Sequence, residues 1–191
     1  MMLKNENDII SCIREDQWMM DVLTHVKALN LPDWWVCAGF VRSKIWDVIH
    51  NFSGRTDLPD VDVIYYNTRN ISIEKEKELE RQLGIRDPRV PWSVKNQARM
   101  HLVNDVPPYK SSEDAMSKYP ETATALGVKI DAGGKVLLAA PWGVTDAING
   151  LVEPTPYFNQ SEERLHIYSD RVRKKQWHLT WKTLKVAQLE Q

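Results

Sequence analysis

Apolar residues recur at helical spacing through the N-terminal part of the chain. Between Asp8 and Leu29 they return every three or four positions, which predicts one long or two short amphipathic helices ending before Pro32. The segment WWVCAG, Trp34 to Gly39, is a short continuous apolar run typical of a buried strand, and a second helical pattern follows at once. The pattern therefore predicts helices, then a strand, a tight turn and another helix.

The next part of the chain mixes loop, strand and helix signals. Residues 51–59 carry the loop residues Gly54 and Pro59 and precede a predicted strand from Asp60 to Tyr66. The stretch ISIEKEKELERQLG predicts a charged, solvent-facing helix that ends at Gly84. The stretch WSVKNQARMHLV alternates apolar with polar residues, which favours a strand with basic and polar side chains on one face.

Signals in the C-terminal half are shorter. Ser111 and Asp114 have the spacing of a capping box that opens a helix to about Tyr119, and residues 131–134 form a plausible hairpin turn. Residues 145–151 predict a short helix, and the tail that begins at Arg171 is basic and helical or partly frayed. Without an internal repeat or linker, we expect one domain over residues 1–191, with a helical N-terminal and a basic C-terminal extension.

Composition narrows the class of protein. A chain of 191 residues with 42% hydrophobic content can bury a core, and the mixed pattern predicts an α/β (α+β) fold. The net charge of -1 gives no overall attraction to nucleic acid or anionic membranes, so phosphate recognition would need a local cluster. The two cysteines have no metal-binding spacing, and neither a secretory pattern nor a window of about 18 apolar residues is present. We therefore expect a cytoplasmic protein without a membrane partner.

Two carboxylates stand one residue apart inside the hydrophobic stretch LPDVDVIYYN. Residues i and i+2 of a strand project from one face about 6.5–7 Å apart, so Asp60 and Asp62 could converge on one divalent ion or a pair. Oxygen ligands suit Mg²⁺, which would also compensate desolvated carboxylates. The same pattern is compatible with an edge strand whose aspartates face water while Val61 and Val63 face the core.

The turn at Gly39 adds a second element. A glycine between a strand and a helix lets phosphate approach the backbone amides at the positive end of the helix, and Arg42 lies in the first turn. Core packing of the glycine and a surface position of the arginine are the alternatives. A strand, glycine and helix followed by D-x-D some twenty residues later is a stronger signal than either part alone.

Several segments together resemble a known family. AGFVRSKIWD, LPDVDVIYYN, WSVKNQARMH, YPETATALGVKID, APWGV and VEPTP occur in order between about Trp34 and Trp181. They resemble a bacterial family of uncharacterised proteins in the nucleotidyltransferase superfamily, which has the DNA polymerase beta-like fold. The resemblance implies an α/β core with a short mixed sheet flanked by helices, a glycine turn that holds nucleotide phosphates, and a D-x-D pair that holds magnesium.

The sequence departs from the superfamily pattern at two places. Superfamily enzymes usually carry a small residue after the turn glycine, where this chain has Phe40. They also use a third carboxylate from the following strand, where this chain offers Asn96 and no acid. Altered metal binding, a different substrate geometry or lost catalysis would each be consistent with these departures.

Other candidate residues lie further along the chain. Lys95 and Arg99, with Gln97 and His101, would line a triphosphate if their strand neighbours the D-x-D strand, whereas strict alternation puts Asn96 on the other side unless a bulge intervenes. Glu121 and Thr122, in PETATALGV, are candidates to contact the base or the acceptor, with a helix terminus as the alternative. The basic tail with Trp177 and Trp181 combines charge and stacking surface as nucleic-acid binders do, although a solvated helix has the same pattern.

The favoured hypothesis is a magnesium-dependent nucleotidyltransferase that moves a nucleoside monophosphate from a nucleoside triphosphate to a hydroxyl acceptor. Asp60 and Asp62 would be the catalytic and metal-binding residues, at a site for one or two Mg²⁺ ions. The predicted substrate-binding residues are Gly39, Phe40, Arg42, Lys95, Asn96, Arg99, Glu121 and Thr122. The alternatives are a nucleotide-binding protein that has lost activity and, less favoured, a nucleic-acid-binding protein that uses the basic tail.

Overall fold

The structure is a computed structural model that describes residues 3–187. Residues 1–2 and 188–191 lie outside the described part, so the expectation of one domain over residues 1–191 stays a prediction. The helices are α1 Glu6–Arg14, α2 Gln17–Lys27, α3 Gly39–Ile49, α4 Ile73–Arg86, α5 Gln97–Asn104, α6 Ser112–Met116, α7 Thr145–Ile148 and α8 Glu162–Lys175. The strands are β1 Trp35–Cys37, β2 Val61–Tyr65, β3 Trp92–Asn96, β4 Gly127–Ile130, β5 Val136–Ala139, β6 Leu151–Val152 and β7 Lys185–Val186.

Five strands form a mixed sheet in the order β3-β2-β1-β4-β5. β1 runs antiparallel to both β2 and β4, and β4 runs antiparallel to β5. β2 and β3 are parallel and are joined through α4, as the long crossover of a parallel pair requires. A short mixed sheet flanked by helices, the predicted architecture, is confirmed.

The two faces of the sheet are covered unequally. Val61 and Val63 of β2 point into the large core, to which all of α1 to α4 contribute. Ile64 points the other way, into a smaller cluster with Cys37 of β1. Because alternate residues of a strand share a face, Asp62 lies on the side of the smaller cluster, where the protein leaves room for a cavity.

The N-terminal pattern folds as two short helices. Asn5 caps α1 in a capping box, in which the Asp8 amide donates to Asn5 Oδ1 at 3.2 Å and the Asn5 amide donates to Asp8 Oδ2 at 3.2 Å. Asp16 then caps α2 by accepting from the Met19 amide at 3.2 Å. The cap at Asp16 begins a new helix and so separates the two.

The prediction of one strand through Trp92–Val103 is wrong beyond Asn96. There β3 ends and α5 begins, because Asn96 Oδ1 accepts from the Ala98 amide at 3.1 Å and caps the helix. Glu76 of α4 accepts from the Asn96 amide at 2.8 Å and pairs with Arg99 at 2.8 Å. The predicted polar face shared by Lys95, Gln97, Arg99 and His101 therefore does not exist, since a helix follows the strand.

Helix α4 differs from its prediction in two ways. It continues past Gly84 to Arg86, and it is not a purely solvent-facing helix. Glu76, Leu79 and Leu83 are buried against the rest of the fold. The buried residues form a narrow stripe along one side of a helix whose other positions are mostly charged, and the charged residues dominate its sequence pattern.

The C-terminal half follows its predictions only in part. The helix predicted from Arg171 onward is α8, which begins at Glu162 and ends at Lys175, and β7 lies in the tail beyond it. The helix predicted over residues 145–151 ends at Ile148, because β6 begins at Leu151.

Ser111 caps α6, with the Asp114 amide donating to its Oγ at 3.0 Å, although the helix ends at Met116 rather than Tyr119. Gly134 takes a φ of +83° in the turn that joins β4 to β5. No helix in the described part of the chain has the length and apolar character needed to cross a membrane.

Replacing the buried Asn96 side chain tests whether it stabilises the fold. It accepts from the amides of Ala98 and Asn67 and donates to two backbone carbonyls of the loop after β2. We expect Asn96→Ala to lower the free energy of unfolding by about 3 kcal/mol, because four backbone groups lose their partner. Urea denaturation measures this loss.

Lys95→Ala is the matched control. Lys95 is adjacent, and its half-exposed side chain pairs with Glu80 at 3.1 Å. We expect the control to change the free energy of unfolding by less than about 1 kcal/mol. Equal losses in the two variants would contradict a structural role particular to Asn96.

Candidate functional site

A cavity of about 300 Å³ lies where the β1–α3 turn, the start of β2 and the end of α8 meet. The loop before β2 and the tail after α8 complete its walls. The turn glycine Gly39 lines the cavity together with the polar residues Arg42, Ser43, Asp60, Asp62, Arg171 and Lys175. Segments far apart in sequence thus share one concave surface that carries both acids and bases.

Asp60 and Asp62 form the acidic side of the cavity. Asp60 is exposed just before β2, and Asp62 is half-buried within the strand. Among residues 3–187, no ion pair within 4.0 Å involves either carboxylate. Burial raises the pKa of Asp62 to about 6, the charge of Asp60 adds to the rise, and the hydroxyl of Ser93 opposes it. The charges of Arg171 and Arg42 also oppose it, so the pair is a concentration of negative charge that two arginines offset without a direct ion pair.

The β1–α3 turn forms the opposite side. Ala38 has a φ of +57° and a ψ of -120°, a strained conformation for a residue with a side chain. Gly39 follows as the first residue of α3, where helix amides have no intrahelical partner. A Cβ added to Gly39 would lie 3.5 Å from Arg42 Nη2 and 3.9 Å from Leu58 Cδ2, both on cavity-lining residues. The missing side chain therefore leaves space for a ligand at a helix N-terminus.

Arg42 is a buried cation beside this turn. Its residue exposure is 7%, and Nη1 donates to Thr124 Oγ1 at 3.0 Å. The guanidinium also lies over the rings of Trp46 and Trp177, 5.0 and 4.4 Å from their centroids. Burial lowers the pKa of Arg42 to about 10, and the charge of Glu121 opposes that shift. No carboxylate oxygen of the described chain lies within 4.0 Å of Arg42, so its charge is available to an anion.

Sequence reasoning did not assign Arg171 or Lys175 to this cavity. Both come from α8, and Arg171 Nε donates to Glu121 Oε1 at 2.7 Å. The sequence shows that the tail is basic, but its charge pattern does not predict where the tail packs. Trp177 and Trp181 fix the tail against α3, because the rings of both make edge contacts with Trp46.

The segment after Tyr119 lies behind the cavity wall. Glu121 is fully buried, so it supports Arg171 and does not offer its carboxylate to the cavity surface. Thr122 Oγ1 donates to Asp146 Oδ2 at 2.6 Å, whereas Thr124 contacts Arg42. This segment therefore holds two arginines of the cavity in place.

Of the predicted site residues, the structure brings Gly39, Arg42, Asp60 and Asp62 together at the cavity and places the other six elsewhere. Glu121 and Thr122 lie behind the wall, as described above, and the remaining four make structural contacts. Phe40 is buried against Trp18, with ring centroids 5.6 Å apart. Lys95 pairs with Glu80, Asn96 caps α5, and Arg99 pairs with Glu76.

Asp47 joins the cavity walls to one another. This buried carboxylate accepts from the amide and hydroxyl of Thr56 at 2.9 and 2.6 Å and from Trp181 Nε1 at 2.8 Å. The loop before β2 and the C-terminal tail are thus both fastened to α3.

The donor set determines which metal ion the cavity suits. Within residues 3–187 there is no group of three or more His, Cys, Asp or Glu side chains arranged to hold a metal ion. Two carboxylates without a cationic partner fit Mg²⁺, which typically takes one or two protein carboxylates and completes its shell with phosphate oxygens and water. Zinc and copper centres typically use imidazole or thiolate ligands, which the cavity lining lacks.

Comparison with solved structures finds a close relative over nearly the whole chain. It is an NMR structure described as revealing a CCA-adding enzyme head domain, with 37% sequence identity and a TM-score of 0.87. The match covers 98% of both chains. Among curated proteins, no significant match was found.

More distant structures share the fold alone. The Thermotoga maritima CCA-adding enzyme complexed with tRNA has 11% identity and a TM-score of 0.58, with 98% of this chain and 43% of that chain covered. A CCA-adding enzyme complexed with CTP also has 11% identity and a TM-score of 0.58, with coverages of 97% and 44%. The chain therefore spans less than half the length of these enzymes.

The family assignment rests on a match to a family model. The model, described as Nucleotidyltransferase, matches residues 24–186, which include every wall of the cavity. The structural match over nearly the whole chain agrees with it. The chain belongs to this nucleotidyltransferase family.

Proposed function

We propose that this protein is a magnesium-dependent nucleotidyltransferase that transfers a nucleoside monophosphate from a nucleoside triphosphate to a hydroxyl acceptor. One observation supports it above all others: a single cavity places two carboxylates without an ion-pair partner in the described chain opposite a glycine turn and a buried arginine. Family membership makes nucleotidyl transfer the appropriate reaction class. The acceptor is a hydroxyl of a small molecule, a protein or RNA.

The proposed roles follow from the chemistry of each wall. Asp60 and Asp62 would hold Mg²⁺, which neutralises phosphate charge and stabilises the attacking and leaving oxygens. The backbone amides at the start of α3 would bind the β- and γ-phosphates, and Arg42 would balance their negative charge. These residues position the triphosphate and stabilise developing charge, which is where most of the rate acceleration in phosphoryl transfer arises.

The reaction exchanges one phosphorus–oxygen bond for another. The acceptor oxygen bonds to the α-phosphorus as the bond from that phosphorus to the bridging oxygen breaks. Pyrophosphate leaves with the bonding electron pair, and the hydroxyl proton passes to solvent. The cationic wall of Arg42 suits this leaving group, because its negative charge increases as the bond breaks.

A nucleotide-binding protein without catalytic activity is the second candidate. It is favoured by the strand that follows the D-x-D pair, because β3 places Ser93 and no acid opposite Asp62. Such a protein would bind a nucleoside triphosphate without releasing pyrophosphate. The two candidates therefore differ in one measurable product.

Replacing Asp62 tests the catalytic proposal. We expect Asp62→Asn to lower the magnesium-dependent release of pyrophosphate from nucleoside triphosphates by about 10³-fold or more, because the metal loses a charged ligand. Circular dichroism checks that the variant is folded.

The matched control is Asp105→Asn, at an exposed position after α5 with left-handed backbone that asparagine accepts readily. Its pyrophosphate release is expected to equal that of the wild type. Full activity in Asp62→Asn would refute the metal-binding role, and no pyrophosphate from a wild-type protein that binds nucleotide would favour the second candidate.

The raised pKa of Asp62 gives a second, independent test. A carboxyl group whose pKa rises on folding takes up a proton more readily in the folded state, so it destabilises the fold at high pH and not at low pH. In EDTA, we expect Asp62→Asn to unfold at a higher urea concentration than the wild type at about pH 7.5. The difference should shrink as pH falls from about 6 to about 4, because the folded state takes up the proton in this range and the unfolded state begins to do so near pH 4.

Urea titrations at the two pH values measure this effect. A lower midpoint for Asp62→Asn at about pH 7.5 would show that the carboxylate stabilises the fold, contrary to a residue kept for ligand binding.

Gly39→Ala tests the phosphate-binding turn. Gly39 has no positive φ, and its added Cβ makes only ordinary contacts, so we expect the free energy of unfolding to stay the same or rise by up to about 1 kcal/mol. The methyl group would occupy cavity space beside the first helix amides, so nucleotide affinity should fall about tenfold or more. Isothermal titration calorimetry with magnesium and each nucleoside triphosphate measures the affinity.

Gly84→Ala is the control for the same chemical change in a helix. Nothing lies within 4 Å of an added Cβ at Gly84, which is in α4 away from the cavity. Its nucleotide affinity should equal that of the wild type. Unchanged affinity in Gly39→Ala would mean that phosphates do not contact this turn.

A further inference from the structure

We propose that Arg171 is a second phosphate-binding side chain of this cavity and that the buried Glu121 is its positioning residue. The proposal rests on the proposed function in that the ligand is the triphosphate of the donor or the pyrophosphate it releases. Arg171 belongs to the predicted basic tail, and Glu121 is a predicted contact to the base or the acceptor, so both residues take new roles here.

Glu121 binds Arg171 through one hydrogen bond, which the Nε of the guanidinium donates. The Glu121 side chain is fully buried, its Oε1 accepts from Arg171 Nε, and its Oε2 has no partner in the described chain. The Arg171 side chain makes no other hydrogen bond to residues 3–187, so both terminal nitrogens keep their N–H groups available. A guanidinium fixed through Nε presents its two terminal nitrogens in the fork that matches phosphate oxygens.

Arg171 also faces the ligand space. It lines the cavity with Arg42, and its side chain keeps 34% of its exposure despite the buried partner. Arg42 and Arg171 come from distant parts of the chain, and Glu121, the buried carboxylate behind them, pairs with Arg171 alone, which leaves a net positive charge on this wall. The positive charge of Arg171 contributes to the lowered pKa of Arg42, as expected for two cations near one another. A multiply charged phosphate group would relieve that repulsion.

The competing explanation is that Arg171 only neutralises Glu121. A buried carboxylate without a cation is strongly destabilising, so Arg171→Ala alone would confuse loss of binding with loss of fold. Glu121→Gln solves this problem, because it removes the buried charge and keeps an oxygen that can accept from Arg171 Nε. Arg171 can then be replaced in that background.

The measurement is the affinity for inorganic tripolyphosphate in EDTA, by isothermal titration calorimetry. We expect Glu121→Gln to bind at least as tightly as the wild type, since a negative charge near the anion is gone while the guanidinium stays in position. We expect the double variant Glu121→Gln with Arg171→Gln to bind about tenfold or more weakly than Glu121→Gln. Equal affinity in these two variants would overturn the proposal.

The positioning role of Glu121 needs its own comparison. Glu121→Leu also lacks the charge but cannot accept a hydrogen bond, so it should bind tripolyphosphate several-fold more weakly than Glu121→Gln. The difference between leucine and glutamine should disappear when Arg171 is glutamine, because Glu121 then has nothing to position. A difference that persists there would assign Glu121 a role independent of Arg171 and contradict the proposal.

Arg173→Ala controls for general loss of positive charge. Arg173 lies two residues further along α8, is exposed, and pairs with Asp170. Its affinity for tripolyphosphate is expected to match the wild type, and a loss as large as that of the double variant would refute a specific contact. The assay contains no magnesium and requires no transfer, so failure of this inference and failure to release pyrophosphate from nucleotide are separate results.

Discussion

The site depends on keeping opposite charges apart within a small cavity. Asp60 and Asp62 on one side and Arg42 on the other line the same 300 Å³ space, yet no ion pair joins them. A direct ion pair would neutralise both walls and leave no electrostatic reason to bind a metal ion or a phosphate. Arg42 is kept in place by the hydroxyl of Thr124 and by the tryptophan rings it stacks on. Asp62 is kept in place by the pairing of β2 with its neighbours.

The C-terminal tail is part of this arrangement. Trp177 and Trp181 pack on Trp46, and the Trp181 indole donates to Asp47, so the tail is attached to the helix that begins at the glycine turn. Asp47 also accepts from Thr56 in the loop before the acidic strand. A disturbance in the tryptophan cluster would therefore move both walls. The same buried contacts stabilise the fold and set the geometry of the cavity.

The structure also explains one departure from the superfamily pattern. Phe40, the large residue after the turn glycine, packs against Trp18 in the core and does not enter the cavity. The cavity beside Gly39 thus remains open despite the larger side chain. The other departure is the absence of an acid on the following strand. The structure does not compensate for it, because Asn96 is buried and its hydrogen bonds go to the backbone and to Glu76. The proposed metal site therefore has two protein carboxylates, with the remaining ligands from phosphate and water.

Local patterns in the sequence determined most of the helices, the strands of the five-stranded sheet, the glycine turn and the D-x-D pair, because periodicity and turn chemistry are properties of neighbouring residues. They did not predict β6 and β7 or the start of α8 at Glu162. The prediction was wrong beyond Asn96. There the alternation of polar and apolar residues predicted a continuing strand, whereas the Asn96 side chain caps helix α5 and the Asn96 amide donates to the buried Glu76. Only the tertiary structure decided that Arg171 reaches the cavity and that Glu121 supports it from behind, since Arg171 and Glu121 are 50 positions apart. A contact over that distance depends on how the helices pack and on which charges are buried together. The periodicity of apolar residues along the sequence contains information about neither.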